Sequence, residues 1–317
     1  MKYSLRAWLA LMLFVAARGV CAQSEGWQPT ESFDECAGMC GEPVICSDAC
    51  EPGCYFHSSG WFAGVGGSYN SVKVDSTFSG VGRTQIYSGN TLVAIGTAGG
   101  PAAPFEDTET TFAPIAQFGY LQNVGGSEWL WGTKFWYKYL GLTLSDDGFD
   151  APQTGVYEVL NPPSTSTFTG NAVTDSAQTA VNHELALIPF LGRSFAKGHF
   201  YAGGGPVVFS TESRLYGLSS YADIAGNHTN IGGAPLNLAS SEWMWGGAGQ
   251  LGMMYYLTPS CFVDVSYDFM VTGEYTQTWP QEVTSSSNGL TYDTSITYKE
   301  VLRIWAQSLN VSLNMTF

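Results

Sequence analysis

The chain has 317 residues, of which 12% are charged and 14% aromatic, and it contains 38 glycines. Its 27 acidic residues outnumber its 12 basic ones and give a formal net charge of −15, which repels nucleic acid and argues against a partner of that kind. Charge at about half the usual share suits a chain with a large apolar outer surface. The excess acid suits a face that binds divalent cations or simply stays hydrated.

Residues 1–22 read as a secretory signal. Lys2 and Arg6 form a basic start, "AWLALMLFVAA" is an apolar core, and "VCA" supplies small residues before a cut after Ala22. The core is shorter than the roughly 20 residues that cross a bilayer as a helix, so a membrane anchor fits less well. Residues 23–59 form an acidic extension without Lys or Arg. It carries Cys36, Cys40, Cys46, Cys50 and Cys54 and is too small to bury a core unaided.

From residue 60 to the end, apolar and polar side chains alternate in segments at 61–72, 111–122, 128–140, 179–191, 198–210, 242–256, 260–272 and from 299 to the terminus. "NVGGS", "GRSFAK" and "TPS" join three pairs of them as hairpin turns. The other spacers are about 25 to 40 residues long and rich in Ser, Thr, Gly, Asn and Asp. Short connections on one side and long ones on the other are the pattern of a membrane-spanning barrel. Aromatics gather at both strand ends: Trp61, Tyr120, Trp129, Trp131, Tyr201, Tyr255 and Phe317 on the turn side, and Tyr69, Tyr137, Tyr139, Phe209, Trp243, Trp245, Phe269 and Trp305 on the loop side. Leu185, Leu187, Val265, Leu251 and Val311 fill the band between. The expected fold is all-β: an eight-stranded antiparallel up-and-down transmembrane β-barrel with short periplasmic turns and long external loops.

The last strand adds a second line of argument. Leu309, Val311, Leu313, Met315 and Phe317 alternate with Ser, Asn and Thr up to a terminal aromatic residue. This resembles the C-terminal targeting strand of bacterial outer-membrane proteins. With the signal and the hairpin plan, residues 60–317 resemble the eight-stranded outer-membrane protein A and W families. The resemblance implies an outer-membrane location, recognition of that strand by the barrel-assembly machinery, and contact with outer-membrane lipid and lipopolysaccharide. It is architectural and implies no particular activity. The Cys-rich N-terminus and the longer loops depart from the small members.

Parity points Lys134, Lys138, Glu184, Asp264 and Asp268 inwards, with Asn182, Asn310 and Asn314. An eight-stranded barrel is just wide enough for side chains to fill it, so these groups are expected to form a polar plug, with Lys134 and Glu184 able to pair. His183 falls at an outward position near mid-strand, which requires either interfacial depth or a bulge. His199, at the start of its segment, is placed at the turn-side interface.

The sixth mature cysteine, Cys261, lies in the "TPSCF" turn, on the side where the N-terminal extension enters. Six cysteines in an oxidising compartment allow three disulfides and 15 pairings. Rivals are a thiolate metal site with His57 and a crosslink to another envelope component. No cofactor and no metal are expected.

The favoured role is structural or surface-recognitional, with polar loops displayed outside and no enzyme activity. Loop acids Glu106, Asp107, Glu109, Asp146, Asp147 and Asp150 either bridge divalent cations to lipopolysaccharide or only solvate the loops. The extracellular ligand is not named by any motif. The first alternative is a porin-like channel of ten to twelve strands, using "TQIYSGNTLVAIG" and "GVYEVLN" as extra staves. The second is a rim-located lipid-modifying hydrolase, which needs a His, a Ser and an acid converging at one rim. The secreted protein is expected to begin at Gln23 and to resist thiol alkylation until reduced. N-terminal sequencing and intact mass with and without reductant check both points, and free thiols in the oxidised protein would reject full pairing.

Overall fold

The computed structural model describes residues 59–100, 103–125, 127–224, 227–231, 233–287 and 289–317. The cleavage site, Cys36, Cys40, Cys46, Cys50 and Cys54 lie outside the described residues. The described residues form 13 strands in one antiparallel sheet. These are β1 (Gly60–Ser88), β2 (Thr91–Gly99), β3 (Ala103–Asn123), β4 (Trp129–Asp146), β5 (Asp150–Leu160), β6 (Pro163–Val173) and β7 (Ser176–Phe195). They continue as β8 (Gly198–Ile224), β9 (Asn227–Asn230), β10 (Leu236–Thr258), β11 (Cys261–Thr272), β12 (Tyr275–Ser287) and β13 (Leu290–Thr316).

Pairings run from β1 through β3, β4, β7, β8, β10, β11 and β13, and β13 pairs with β1 again. Tight connections β3–β4, β7–β8 and β10–β11 lie at one end, with both Gly60 and Phe317. There the Phe317 amide donates to the Trp61 carbonyl at 2.9 Å.

The spacers expected as loops hold strands instead. β2, β5, β6, β9 and β12 all lie within them. The stretches weighed as extra membrane staves, 84–96 and 155–161, are extended but stand outside the closed course. Above Phe78, β1 exchanges its partner β3 for β2, and the sheet continues through β5 and β6 to the far end of β8. β12 folds back along the top of β13. The closed course therefore rises into an upper storey built from these segments. β6 and β12 are Ser/Thr-rich and carry polar residues on both faces, which hides them from an alternation test.

Side chains alternate along the closed course. On β13, Leu302, Ile304, Ala306, Ser308, Asn310, Ser312 and Asn314 are buried, whereas Leu309, Val311, Met315 and Phe317 are exposed. Inward residues stack in layers. Phe62, Leu121, Leu130, Phe190, Met254, Tyr256 and Phe262 cluster at the turn end. A larger apolar cluster that includes Val74, Leu144, Val181, Phe209 and Leu302 lies higher, and a third around Phe78, Leu215, Ile296 and Tyr298 fills the upper storey. The interior is thus layered, apolar above and below a polar belt, rather than polar throughout as expected.

Two aromatics assigned to the interfaces belong inside: Tyr201 and Phe209 are buried, because inward positions on β8 are odd-numbered. His199 shares that parity and is also buried, against the turn-end cluster at Tyr256. His183 sits at a bulge. Tyr139 pairs with His183, but the next paired positions are Leu142 and Val181, and Gly141 takes a positive φ of 56°. Against β8, Val181 pairs with Thr211 and His183 with Ser210, so β7 carries an extra residue that turns both Asn182 and His183 away from the interior, and Asn182 leaves the expected plug.

Gly119 shows how tightly the layers fit. A Cβ there would lie 2.5 Å from the Phe62 ring and 2.6 Å from the Thr133 carbonyl oxygen. Gly119→Val is expected to displace Phe62 and cost about 1–3 kcal/mol, read as a lower urea midpoint of the refolded protein.

Candidate functional site: the interior ion-pair belt and the outer band

β4 and β11 lie four pairings apart whichever way the closed course is followed. They therefore face each other across the interior. Both leave the turn end, so equal steps along them rise together. Lys134 and Lys138 on β4 are four residues apart, as are Asp264 and Asp268 on β11. The result is two ion pairs spanning the interior at two levels: Lys134 Nζ to Asp264 Oδ2 at 2.8 Å and Lys138 Nζ to Asp268 Oδ2 at 3.3 Å. All four side chains are buried.

The expected pairing of Lys134 with Glu184 is corrected. In the β4–β7 register, Lys138 stands opposite Glu184 and Lys134 opposite Ile188. Lys138 meets Glu184 Oε1 at 2.9 Å, and the Trp136 indole donates to the same oxygen at 2.8 Å.

Hydrogen bonds complete both levels. At the lower one, Lys134 donates to the Tyr201 hydroxyl at 2.6 Å, and that hydroxyl donates to Asp264 Oδ1 at 2.6 Å. The Gln117 amide donates to Asp264, Ser312 and Asn314 at 3.2, 2.8 and 2.6 Å. At the upper level, Gln250 and Asn310 donate to the two Asp268 oxygens at 2.6 and 2.5 Å, and Lys138 donates to Ser308 at 2.9 Å. A charge moved out of water is tolerated only when paired and hydrogen-bonded, and this belt supplies both. Gln117, Gln250 and Trp136 are belt members that the sequence analysis does not name, and Tyr201 is one that it places at the interface. Inward parity is the signal that marks the two glutamines.

Other expected residues are scattered. Cys261 is buried at the first position of β11, opposite Met315. Leu309, Val311, Leu313, Met315 and Phe317 point outwards along β13. Glu106 binds Lys73, with Nζ at 2.6 Å, and Asp150 accepts from the Asn171 amide at 2.9 Å. Asp107 and Glu109 lie on β3, Asp146 ends β4, and Asp147 follows it. His199 Nδ1 lies 3.0 Å from Ser194 Oγ, and both side chains are buried at the turn end.

The outer face is the counterpart of the belt. Among the described residues, between Arg193, which binds Glu128 at the turn end, and Lys73, Glu212 and Arg303 above, no outward position of the closed course carries Asp, Glu, Lys or Arg. On β13 this stretch runs from Met315 to Trp305. At about 3.3 Å per residue and a tilt near 40°, it rises about 25 Å, the height of the apolar band of a membrane barrel. Rings mark its upper edge. His183 lies between Tyr137, whose hydroxyl is 2.9 Å from Nδ1, and Trp243.

No family model matches the sequence, and no curated protein matches it. Solved structures do show a likeness. The chain is similar to the outer membrane protein OprG from Pseudomonas aeruginosa, with 11% identity and a TM-score of 0.36 over 82% of this chain and 98% of that one. It is also similar to the outer membrane protease OmpT from Escherichia coli, with 11% identity and a TM-score of 0.26 over 79% and 97%. A third is Neisserial surface protein A, with 10% identity and a TM-score of 0.25 over 78% and 97%.

Removing one partner of the belt strands a buried charge. Lys134→Met is expected to cost about 3–5 kcal/mol in urea unfolding of the vesicle-embedded protein, and adding Asp264→Leu to recover much of that loss.

Proposed function

We propose that the protein is a bacterial outer-membrane β-barrel of eight strands with a lumen closed by its own side chains, and that it serves as a structural and recognition element. The observation that carries this reading is the pairing of an uncharged outer band with ion pairs that cross the interior. An apolar band about 25 Å tall is unfavourable in water and favourable in lipid. Lys134–Asp264 and Lys138–Asp268 occupy the axis that a channel would need.

The upper storey then stands outside the cell, with the N-terminal extension in the periplasm. Its polar strands and the acids near its rim, such as Asp146 and Asp147, form the recognition surface, and divalent cations link them to lipopolysaccharide. Leu309 to Phe317 present the alternating outward edge that the assembly machinery would read. The role is not enzymatic, in keeping with a His199–Ser194 pair buried at the turn end.

Planar-bilayer recording of the folded, detergent-purified protein tests the closed lumen against the porin-like alternative. The expected result is insertion without stable ohmic steps. Large, stable steps from the monomer would overturn the plug, and a protein that stays soluble without detergent would overturn the barrel's membrane setting.

A further inference from the structure

One interior carboxyl has no lysine. Glu300, on β13 above the outer band, is 4% exposed and lies between the large apolar cluster, at Val74 and Leu302, and the upper cluster, at Phe78 and Leu215. Ser76 Oγ donates to its Oε1 at 2.9 Å and Ser213 Oγ to its Oε2 at 2.8 Å. On the other side of β13, Gln277 of β12 stands directly opposite Glu300 in register. Gln277 is 6% exposed, and neither its Oε1 nor its Nε2 has a hydrogen-bond partner. Inward residues directly opposite each other on paired strands have Cβ atoms about 5 Å apart, within reach of both side chains.

Among the described residues, no cation compensates Glu300. Facing Glu300 are Ser76 and Phe78 of β1, Ser213 and Leu215 of β8, Gln277 of β12, and Tyr298 and Leu302 of β13. The titratable member of that set is the Tyr298 phenol, 3.2 Å from Ser220 Oγ. The next titratable groups are Tyr275 of β12 and Glu242 of β10, which hydrogen-bond to each other. Every other carboxylate of the interior belt meets an ammonium group.

We propose that Glu300 is a proton-binding site that latches β12 to the barrel: the protonated carboxyl donates to Gln277 Oε1 while its remaining lone pairs accept from Ser76 and Ser213. The ligand is a proton taken from outside the cell, and the responding element is β12, which is paired along one edge to β13 alone. The inference does not depend on what the outer surface recognises.

Burial pushes the Glu300 carboxyl up, while the bonds from Ser213 and Ser76 act in the opposite direction. A carboxyl whose folded-state value is raised holds its proton in the closed form and sheds it on opening. Its stabilisation is therefore complete in acid and is lost as pH rises from the ordinary carboxylate range through the folded-state value.

Amide hydrogen exchange of β12 in the full-length, detergent-folded protein tests this, corrected for the intrinsic pH dependence of exchange. In the wild type, opening of β12 is expected to grow by up to tenfold per pH unit within that window and then level off. Glu300→Gln, which keeps a neutral hydrogen-bonding group, is expected to hold β12 at its acid-level protection throughout. The Ser76→Ala, Ser213→Ala pair is expected to move the levelling-off point to higher pH. The proposal fails if wild-type opening does not vary between about pH 4 and pH 8, or if Glu300→Gln keeps the same dependence. Should Glu300→Gln not fold, an unmoved levelling-off point in the serine pair would overturn the proposal.

Discussion

A charge inside a narrow sheet cylinder has to be answered from the opposite wall, and the rest of the structure is arranged around that requirement. The lysines of β4 reach the aspartates of β11 because four pairings separate the two strands in either direction. A change of one strand in the course, or of one residue in the register, would leave four buried charges facing apolar walls. The belt therefore fixes strand number and stagger together. Tyr201 and Gln117 make that demand stricter, since each is held by groups from more than one strand.

The outer face obeys the same alternation with the opposite chemistry. Each step that sends a polar group inwards sends a ring or an aliphatic chain outwards, so filling the lumen and greasing the wall are one property of the sequence. Charges that water would otherwise require on the surface are moved upwards. Lys73, Glu106, Glu212 and Arg303 all lie where the course leaves the band. The bulge at Gly141 and His183 falls at this boundary, where the strand switches which side chains it hides.

Much of this was legible in the sequence, and what was not has definite causes. Period-two alternation marks a face, so Lys134, Lys138, Glu184, Asp264 and Asp268 could be grouped from spacing alone. It does not say which wall answers which, and a nearest-neighbour guess joined Lys134 to Glu184 although their partners lie elsewhere. The equal four-residue steps on two strands rising in the same direction held the answer. β6 and β12 have no apolar signature because they are Thr- and Ser-rich on both faces, whereas β2 and β5 overlap the stretches weighed as extra staves. Tyr201 was misplaced because aromatics at strand ends were read as interfacial, when here a phenol inside serves as a bridge between two charges. Glu300 stands at the very start of the final alternating segment, far from the positions 309–317 that mark it as the terminal strand.

The joint between β1 and β13 carries one more consequence. It runs from Phe62–Thr316 to Ser88–Leu290 without a slip in register, the longest unbroken pairing in the molecule. Because it unites the first and last staves of the closed course, the cylinder can shut only after β13 has been delivered. Once zipped, the joint leaves no opening between those two strands.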